Sequence, residues 1–209
     1  MLRFDPAGYP FIGVSVGLAL VAGYLVSPWL ALPLLALAAL FLFFFRDPDR
    51  TAATGADAVL SPADGRVLVA GPAVPGAAPA GEWQQISIFL SPTDVHVNRL
   101  PIGGTVTKVE YHPGRFLPAY RADAGDLNEF TEVWIDHNGQ TIVVRQIVGI
   151  LARRIVCRIK EGQVVKAGDR FGVMKFGSRM DIFLPTTATV TTKVGDKVLG
   201  GVTVIAKLA

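Results

Sequence analysis

Charged side chains are scarce in this sequence: Asp, Glu, Lys and Arg make up 18% of its 209 residues, whereas soluble domains carry about a quarter. The deficit is local, because Pro6 to Phe45 contains no Asp, Glu, Lys, Arg or His. This pattern excludes a fully soluble protein, and one apolar block is too few for a polytopic transporter. Intrinsic disorder is also excluded, since it requires low hydrophobicity together with high net charge.

The chain also lacks cysteine pairs and runs of basic residues. Its single cysteine, Cys157, excludes a disulfide framework and a cysteine-based zinc site, and its apolar neighbours favour a buried thiol. The net charge is only +3 and no stripe of Lys and Arg occurs, so no nucleic-acid partner is expected. A mildly basic surface suits anionic lipid head groups.

The uncharged block is split by Ser27-Pro28 into Pro10–Val26 and Trp29–Phe45. Proline lacks an amide donor and disfavours helix at the residue before it, so this dipeptide predicts a helix break. Each half is near the lower length limit for a membrane span. We expect residues 1–50 to form a membrane-anchoring helical hairpin that either spans twice or dips in and returns. A buried pair of core helices is the alternative.

Residues 51–209 favour strands over helices. The sequence contains short runs rich in β-branched residues and bounded by turn residues, namely Gln85–Leu90, Thr105–Tyr111, Phe130–Asp136, Thr141–Ile147, Arg154–Ile159, Thr186–Thr192 and Gly201–Ala206. Asn138-Gly139 predicts a tight hairpin turn. Many short strands predict a mainly β fold, a sandwich or barrel of short strands. Ala70–Gly81 is expected to be an exposed connector, and His112–Glu129 is a loop long enough to be functional.

Two segments carry acidic and histidine side chains that suit acid–base chemistry. In Leu60–Arg66, Asp64 precedes a glycine, which a simple turn also explains. In a second segment Asp94, His96 and Asn98 alternate along an extended run and would share one face. An Asp/His pair can support general acid–base catalysis; an exposed polar face is the alternative.

Two later segments carry an arginine pair and a Gly-Ser dipeptide. Arg153 and Arg154 follow an apolar stretch, where they are either solvated or contact an anion. Gly177-Ser178 lies between strand-like runs within Met174–Pro185. Gly-Ser alone is common, so its meaning depends on the other motifs.

Taken together, four motifs resemble the phosphatidylserine decarboxylase family in its short, bacterial and archaeal-type form. In chain order they are Ser-Pro-Ala-Asp-Gly, Ser-Pro-Thr-Asp-Val-His, Ala-Arg-Arg-Ile-Val and Gly-Ser. The resemblance, which covers essentially the whole chain, implies a precursor that cuts itself between Gly177 and Ser178. The products would be a large chain, 1–177, and a small chain, 178–209. Ser178 would become a pyruvoyl group, whose ketone accepts electrons when carbon dioxide leaves; no metal and no pyridoxal phosphate are implied.

The resemblance also implies roles for other side chains. His96 would be general base and proton donor, oriented by Asp64 or Asp94. Longer family members have a second histidine where this chain has Arg99, and Leu-Gly-Ser-Thr where it has Phe-Gly-Ser-Arg. Either His96 covers both histidine roles or another group, such as His112, assists.

Three arginines are candidate contacts for phosphate or carboxylate: Arg99, Arg115 and Arg153.

The function implied is conversion of phosphatidylserine to phosphatidylethanolamine by an enzyme in the inner membrane, with its catalytic domain on the cytoplasmic side. One alternative is a related decarboxylase of another serine phospholipid, such as an archaeal ether lipid. A second is a non-catalytic, membrane-tethered sandwich domain. The sequence leaves homo-oligomer formation open.

Overall fold

The break at Ser27-Pro28 divides the apolar block into two helices in the computed structural model, which describes residues 3–52, 55–150, 154–175 and 177–209. The helices are α1 (Tyr9–Leu25) and α2 (Pro28–Phe44). Ser27 Oγ accepts a hydrogen bond from the backbone N–H of Trp29 at 3.4 Å, a capping contact that favours helix initiation at this point. The predicted helix pair is confirmed.

The two helices pack in antiparallel directions. The rings of Phe11 and Phe41 are 5.3 Å apart, while Gly23 faces Ala31 towards the turn. Pro6–Leu25, which includes a short 3-10 turn before α1, is long and apolar enough to cross a membrane. Only 17% of the most apolar stretch of this segment is buried within the protein, so most of its apolar surface faces outwards. Such a surface is unfavourable in water.

Contacts divide the chain into two compact units, one ending at Asp49 and the other beginning at Arg50. The second unit is mainly β, as predicted, and is built around a curled sheet of eight antiparallel strands with two three-stranded sheets. The strands in the described residues are β1 (Ala58–Leu60), β2 (Gly65–Pro72), β3 (Gln84–Leu90), β4 (Val97–Arg99), β5 (Gly104–His112), β6 (Phe130–His137), β7 (Gln140–Ile147), β8 (Ile155–Cys157), β9 (Val164–Val165), β10 (Arg170–Met174), β11 (Ser178–Leu184), β12 (Thr189–Val190), β13 (Lys197–Val198) and β14 (Val204–Lys207).

The large sheet has the strand order β13-β2-β3-β11-β7-β6-β5-β9, and the small sheets are β1-β14-β12 and β4-β10-β8. The predicted turn joins β6 to β7: Asn138 and Gly139 have φ values of 53° and 84°, the left-handed conformations of a two-residue hairpin loop. Strand β11 lies between β3 and β7, and all seven of its residues are buried.

The two faces of β11 have different chemistry because side chains alternate along a strand. Met180, Ile182 and Leu184 belong to the hydrophobic core, together with Ile86 and Ile88 of β3. We call this side of the large sheet the core face. The opposite face carries buried polar side chains and lies under the segment 113–129, and we call it the loop face.

Several strands were not predicted, either because they are only two or three residues long or because they contain weak strand formers. Strand β2 includes Ala70, Gly71 and Pro72 and therefore enters the segment expected to be a connector. Its pairing with β3 over Arg66 to Pro72 compensates for its composition, since strand preference depends on packing partners. Three predicted runs are shorter than expected, since the strands there are only Ile155–Cys157, Thr189–Val190 and Val204–Lys207, the last of which also ends one residue later than predicted. Segment 113–129 contains a short helix, α3 (Ala124–Leu127).

Candidate active site

Ser178 is the first residue of β11, and its side chain points to the core face with Met180. It is fully buried, and its Oγ has no hydrogen-bond partner among the described residues. Gly177, immediately before it, has φ of 73°, a conformation that glycine adopts without steric cost. Buried hydroxyl groups are usually hydrogen-bonded, so Ser178 departs from the usual pattern and is a candidate for a role other than stabilising the fold.

His96 contacts the residue that precedes Ser178. Its Nδ1 is 2.9 Å from the carbonyl oxygen of Asp94, and a carbonyl can only accept, so Nδ1 carries a proton. The other ring nitrogen, Nε2, accepts a hydrogen bond from the backbone N–H of Gly177 at 3.4 Å. The neutral ring therefore directs its basic nitrogen towards the Gly-Ser dipeptide, and the structure brings together these three residues.

Asp94 does not share a strand face with His96 and Asn98, and this part of the prediction was wrong. Strand β4 covers only Val97–Arg99, whereas Asp94 lies in a turn. Its Oδ2 accepts a hydrogen bond from the backbone N–H of Ser91 at 2.8 Å, which is how aspartate stabilises turns. Asp94 thus orients His96 through its backbone carbonyl, and its carboxylate serves the turn.

Asp64 lies in the turn between β1 and β2, and its carboxylate is buried in an ion pair with Arg50. Both terminal guanidinium nitrogens of Arg50 donate to it, Nη2 to Oδ2 at 2.7 Å. The backbone N–H of Gly200 donates to Oδ1 at 2.8 Å. Arg50 was not predicted as part of the site, because no sequence signal links it to Asp64. Asp64 and Asp94 both line a cavity of about 490 Å³.

Gly149 is packed against the carbonyl group of Gly177. A Cβ atom on Gly149 would lie 2.2 Å from the Gly177 oxygen, closer than any tolerated contact. Only glycine leaves room for this carbonyl, so Gly149 belongs to the site although sequence reasoning singled out only the arginines that follow it. Of these, Arg153 lies outside the described residues.

An apolar cavity of about 320 Å³ reaches Gly177 from the loop face. Phe89 of β3, Pro118, Tyr120 and Ile150 are in its wall, and the rings of Phe89 and Tyr120 meet edge to face at 5.8 Å. Phe89 also lines the cavity that holds Asp64, so the two cavities share this residue. The long loop expected to be functional therefore supplies one wall.

Asn128 holds this loop in place from its buried side. Its Oδ1 accepts from the backbone N–H of Leu117 at 2.9 Å, and its Nδ2 donates to the Leu117 carbonyl at 2.8 Å. The same Nδ2 donates to the carbonyl of Val148 at 2.9 Å. One amide thus joins the loop to the residue before Gly149.

Known proteins resemble this chain over most of its length. A sequence model of the family described as phosphatidylserine decarboxylase matches residues 37–206. The chain belongs to the phosphatidylserine decarboxylase family. The family predicted from the motifs is thereby confirmed, and the chain is a decarboxylase rather than a non-catalytic tethered domain.

Three curated relatives, each named phosphatidylserine decarboxylase proenzyme, illustrate the similarity. The one from Granulibacter bethesdensis is 44% identical over 208 residues, covering 97% of this chain and 84% of the relative. The one from Magnetococcus marinus is 41% identical, covering 96% and 93% of the two chains. The one from Prosthecochloris aestuarii is 44% identical, covering 80% and 76%.

The decarboxylase site does not include every predicted residue. The ring of His112 stacks on that of Phe130 at 4.4 Å. Across the sheet, His112 of β5 pairs with Phe130 of β6, which pairs with Ile147 of β7, which in turn pairs with Arg179 of β11. Three strand spacings separate its backbone from β11, about 14 Å, so the structure does not bring His112 beside Ser178.

The predicted arginine contacts are also dispersed. Arg99 is buried and donates to the carbonyl of Gly168 at 3.2 Å, which places it inside the decarboxylase rather than at an open surface. Arg115 is exposed at the start of the loop, where its backbone pairs with Asn128.

A surface ion pair stabilises the exposed side of the loop. Arg121 Nε and Nη2 donate to the two oxygens of Asp123 at 2.9 and 2.7 Å, and these bonds lower the pKa of the Asp123 carboxyl. The resulting contribution is present above the ordinary carboxyl pKa and is lost as the pH falls through the lowered value. Because both groups are exposed, it is small.

Replacing Asn128 by alanine is expected to loosen the loop of this decarboxylase, because three hydrogen bonds are lost at about 1 kcal/mol each. Hydrogen exchange followed by mass spectrometry should show faster exchange of backbone amides in residues 115–127. The matched control is Asn138→Gly, which changes an exposed asparagine in the β6–β7 turn and should leave this segment protected. Unchanged exchange in the Asn128 variant would contradict the assignment.

Proposed function

We propose that this family member converts phosphatidylserine to phosphatidylethanolamine in phospholipid biosynthesis, after cutting itself between Gly177 and Ser178. The observation that carries the proposal is the buried Oγ of Ser178, which has no hydrogen-bond partner in the described part of the chain, next to a glycine that contacts Nε2 of His96. The word proenzyme in the names of the relatives supports processing of the chain.

Self-cleavage needs a base, a nucleophile and a reachable carbonyl. In the proposed reaction His96 Nε2 removes the proton from Ser178 Oγ, which attacks the carbonyl carbon of Gly177 and displaces its amide nitrogen. The chain is then joined by an ester, with the Ser178 nitrogen as a free amine. The left-handed backbone at Gly177 leaves this carbonyl open, since glycine has no side chain to shield it.

Elimination completes the cut. Loss of the Cα proton of residue 178 breaks the ester C–O bond, so that Gly177 leaves as a carboxylate and residue 178 becomes a dehydroalanine. Its tautomer is hydrolysed by one water, which releases ammonia and leaves the pyruvoyl group. His96 is the proposed base for this step, because its Nε2 contacts the backbone N–H of Gly177.

The residues around Ser178 fit the pyruvoyl group. Among residues 3–52, 55–150, 154–175 and 177–209 the buried Oγ has no hydrogen bond that would have to be broken before the side chain reacts. The group supplies a ketone that binds the substrate amine and withdraws electrons as carbon dioxide leaves. We assign to His96 the proton that replaces the lost carboxyl group.

Asp64 is proposed to position the segment that carries His96. Its ion pair with Arg50 and its bond to Gly200 N–H fix the turn 61–65. In that turn the carbonyl of Pro62 accepts from the backbone N–H of Arg99 at 2.8 Å, three residues after His96. Removing one partner of a buried ion pair is costly, so Asp64 variants should disturb β4.

The apolar helices are proposed to anchor the enzyme to the inner membrane, with the catalytic part, 51–209, on the cytoplasmic side. Their outward-facing apolar residues suit a lipid environment, and phosphatidylserine is itself held in the bilayer. A membrane-attached enzyme does not have to extract its substrate.

Cleavage of the Gly177–Ser178 bond can be tested directly. Intact-mass measurement on purified protein should find two fragments, residues 1–177 and 178–209, with the smaller one blocked to amino-terminal sequencing. Ser178→Ala should give a single uncut chain, because the nucleophile is lost. A wild-type protein that stays in one piece would disprove the proposal.

The second prediction concerns His96. His96→Ala should accumulate uncut precursor, with processing slowed about 100-fold or more, the range that general base catalysis supplies. Cleavage in a time course after synthesis measures this, and His137→Asn is the control because that ring contacts only the Gly103 carbonyl and Asn138 in the described part of the chain. Accumulation in His112→Ala, with normal processing in His96→Ala, would move the base role to His112.

The third prediction concerns Gly149. Gly149→Ala should block or strongly slow cleavage, since its methyl group would displace the Gly177 carbonyl, and displacement by about 1 Å can reduce a rate 100-fold. Gly17→Ala is the matched control, because a Cβ there meets nothing within 4 Å. Full cleavage of the Gly149 variant at the wild-type rate would show that the carbonyl position is not limiting.

A further inference from the structure

The residue after Ser178 is an arginine that is buried as deeply as the serine. Arg179 is 2% exposed, and its side chain points to the loop face of the sheet. Its Nε and Nη2 donate to Oδ1 and Oδ2 of Asp181 at 2.6 and 2.8 Å. This geometry is bidentate, the strongest form of arginine–carboxylate contact.

Two side chains of β3 complete a polar cluster around this pair. Ser87 Oγ accepts from Arg179 Nη2 at 2.9 Å, and Gln85 Nε2 donates to Asp181 Oδ2 at 3.1 Å and to Ser87 Oγ at 3.0 Å. We call these four residues the Arg179 cluster. It joins β11 to β3 by side chains, in addition to the backbone pairing of the two strands.

The Arg179 cluster also supports the loop that lines the apolar cavity. Arg179 Nη1 donates to the carbonyl of Arg121 at 3.3 Å. Gly125, in α3, is packed so closely that a Cβ there would lie 3.2 Å from Arg179 Nη2 and 3.3 Å from Asp181 Oδ2. One guanidinium therefore contacts the strand that begins with Ser178 and the loop that carries Tyr120.

If the chain is cut, the contacts of Arg179 also help to hold the new end of the small chain. Before cleavage residue 178 is held both by its peptide bond to Gly177 and by its pairing with Leu90 of β3. After the proposed cleavage it has no preceding residue and no backbone N–H, because a ketone replaces the amine of serine. Arg179 is then the first residue of the small chain that can still hold the chain end through both backbone and side chain.

We propose that Arg179 is a positioning residue that holds the new amino-terminal end of the small chain in register with β3 and fixes the Tyr120 loop above it. The inference rests on the proposed cleavage and goes beyond it, because it assigns a role after the cut rather than in it. Loss of the cluster should therefore affect decarboxylation far more than processing.

The test uses the full-length protein in detergent. Because a lone buried carboxylate could prevent folding, the main variant is the double replacement Arg179→Met with Asp181→Leu, which removes both charges. Arg179→Lys is the partial rescue, since lysine keeps the charge and can bind one oxygen of Asp181 but not both.

The matched control removes a second buried ion pair of the same sheet. Arg145 of β7 donates to Glu132 at 2.6 Å and to the carbonyl of Gly125 at 2.7 Å, so it supports the same loop, but it does not lie at the chain end. Arg145 is the cross-strand neighbour of Asp181, but its side chain pairs with Glu132, so Arg145→Met with Glu132→Leu reports loss of a buried pair and of loop support while the Arg179–Asp181 pair is kept.

Three measurements are compared between each variant and the wild type, and activity is expressed per molecule of cleaved protein. Intact mass gives the extent of cleavage, turnover of short-chain phosphatidylserine gives kcat and KM, and the rate of hydrazone formation with phenylhydrazine gives the accessibility of the ketone. For the Arg179 double variant we expect cleavage at a rate within a few-fold of that of the wild type. We expect kcat to be lower by about 10- to 100-fold, the loss that a misplaced reacting group causes. Hydrazone formation should be faster than in the wild type. Arg179→Lys should recover part of kcat.

The outcomes separate this inference from the proposed function. If the wild-type protein is not cut, the proposed function fails. If it is cut and the Arg179 double variant matches wild type in kcat and in hydrazone formation, only the inference is overturned. Equal losses in the Arg145 control pair would likewise overturn it, because they would assign the effect to the loop rather than to the chain end.

Discussion

The structure depends on one constraint: Ser178 is the first residue of an interior strand. β11 is paired along its length with β3 and, from Arg179 to Phe183, with β7, and it is buried on both faces. This pairing positions Ser178, whose hydroxyl group makes no hydrogen bond within the described residues. It also means that a cut just before the strand leaves the pairing of Arg179 to Leu184 intact, so the sheet can survive the loss of the Gly177–Ser178 bond.

Alternation along β11 separates two tasks that could interfere with each other. Ser178 points to the core face, close to the dipeptide contact made by His96, while Arg179 points to the loop face and binds Asp181. A guanidinium on the same side as the serine would offer hydrogen bonds to its hydroxyl and hold it unreactive. Placing the two groups at consecutive positions keeps them on opposite sides of one backbone.

Sequence alone predicted those features that short-range patterns encode. The break at Ser27-Pro28 and the Asn138-Gly139 turn follow from local backbone preferences, and the Gly-Ser dipeptide became informative through its order relative to other motifs. Contacts between distant segments could not be predicted: Arg50 with Asp64, Asn128 with Val148, and the close approach of Gly149 to Gly177. Each of these contacts depends on which strands become neighbours in the sheet. Neighbouring strands can be far apart in sequence, so a local pattern does not predict their contacts. The prediction that Asp94 shares a strand face with His96 was wrong for a local reason. The Asp94 carboxylate closes a turn, and an alternating pattern of polar residues does not reveal such a turn.

The position of Gly177 links cleavage to access. Gly177 lies in the wall of the apolar cavity on the loop face, whereas Ser178 is buried on the other side of the sheet. The bond proposed to break is therefore the one that connects the cavity wall to the buried residue. Once it is broken, Gly177 is the free end of the large chain and is no longer held by β11. The reaction that creates the ketone would thus also release the residue that separates it from the cavity, and an uncut chain would lack both the reactive group and a route to it.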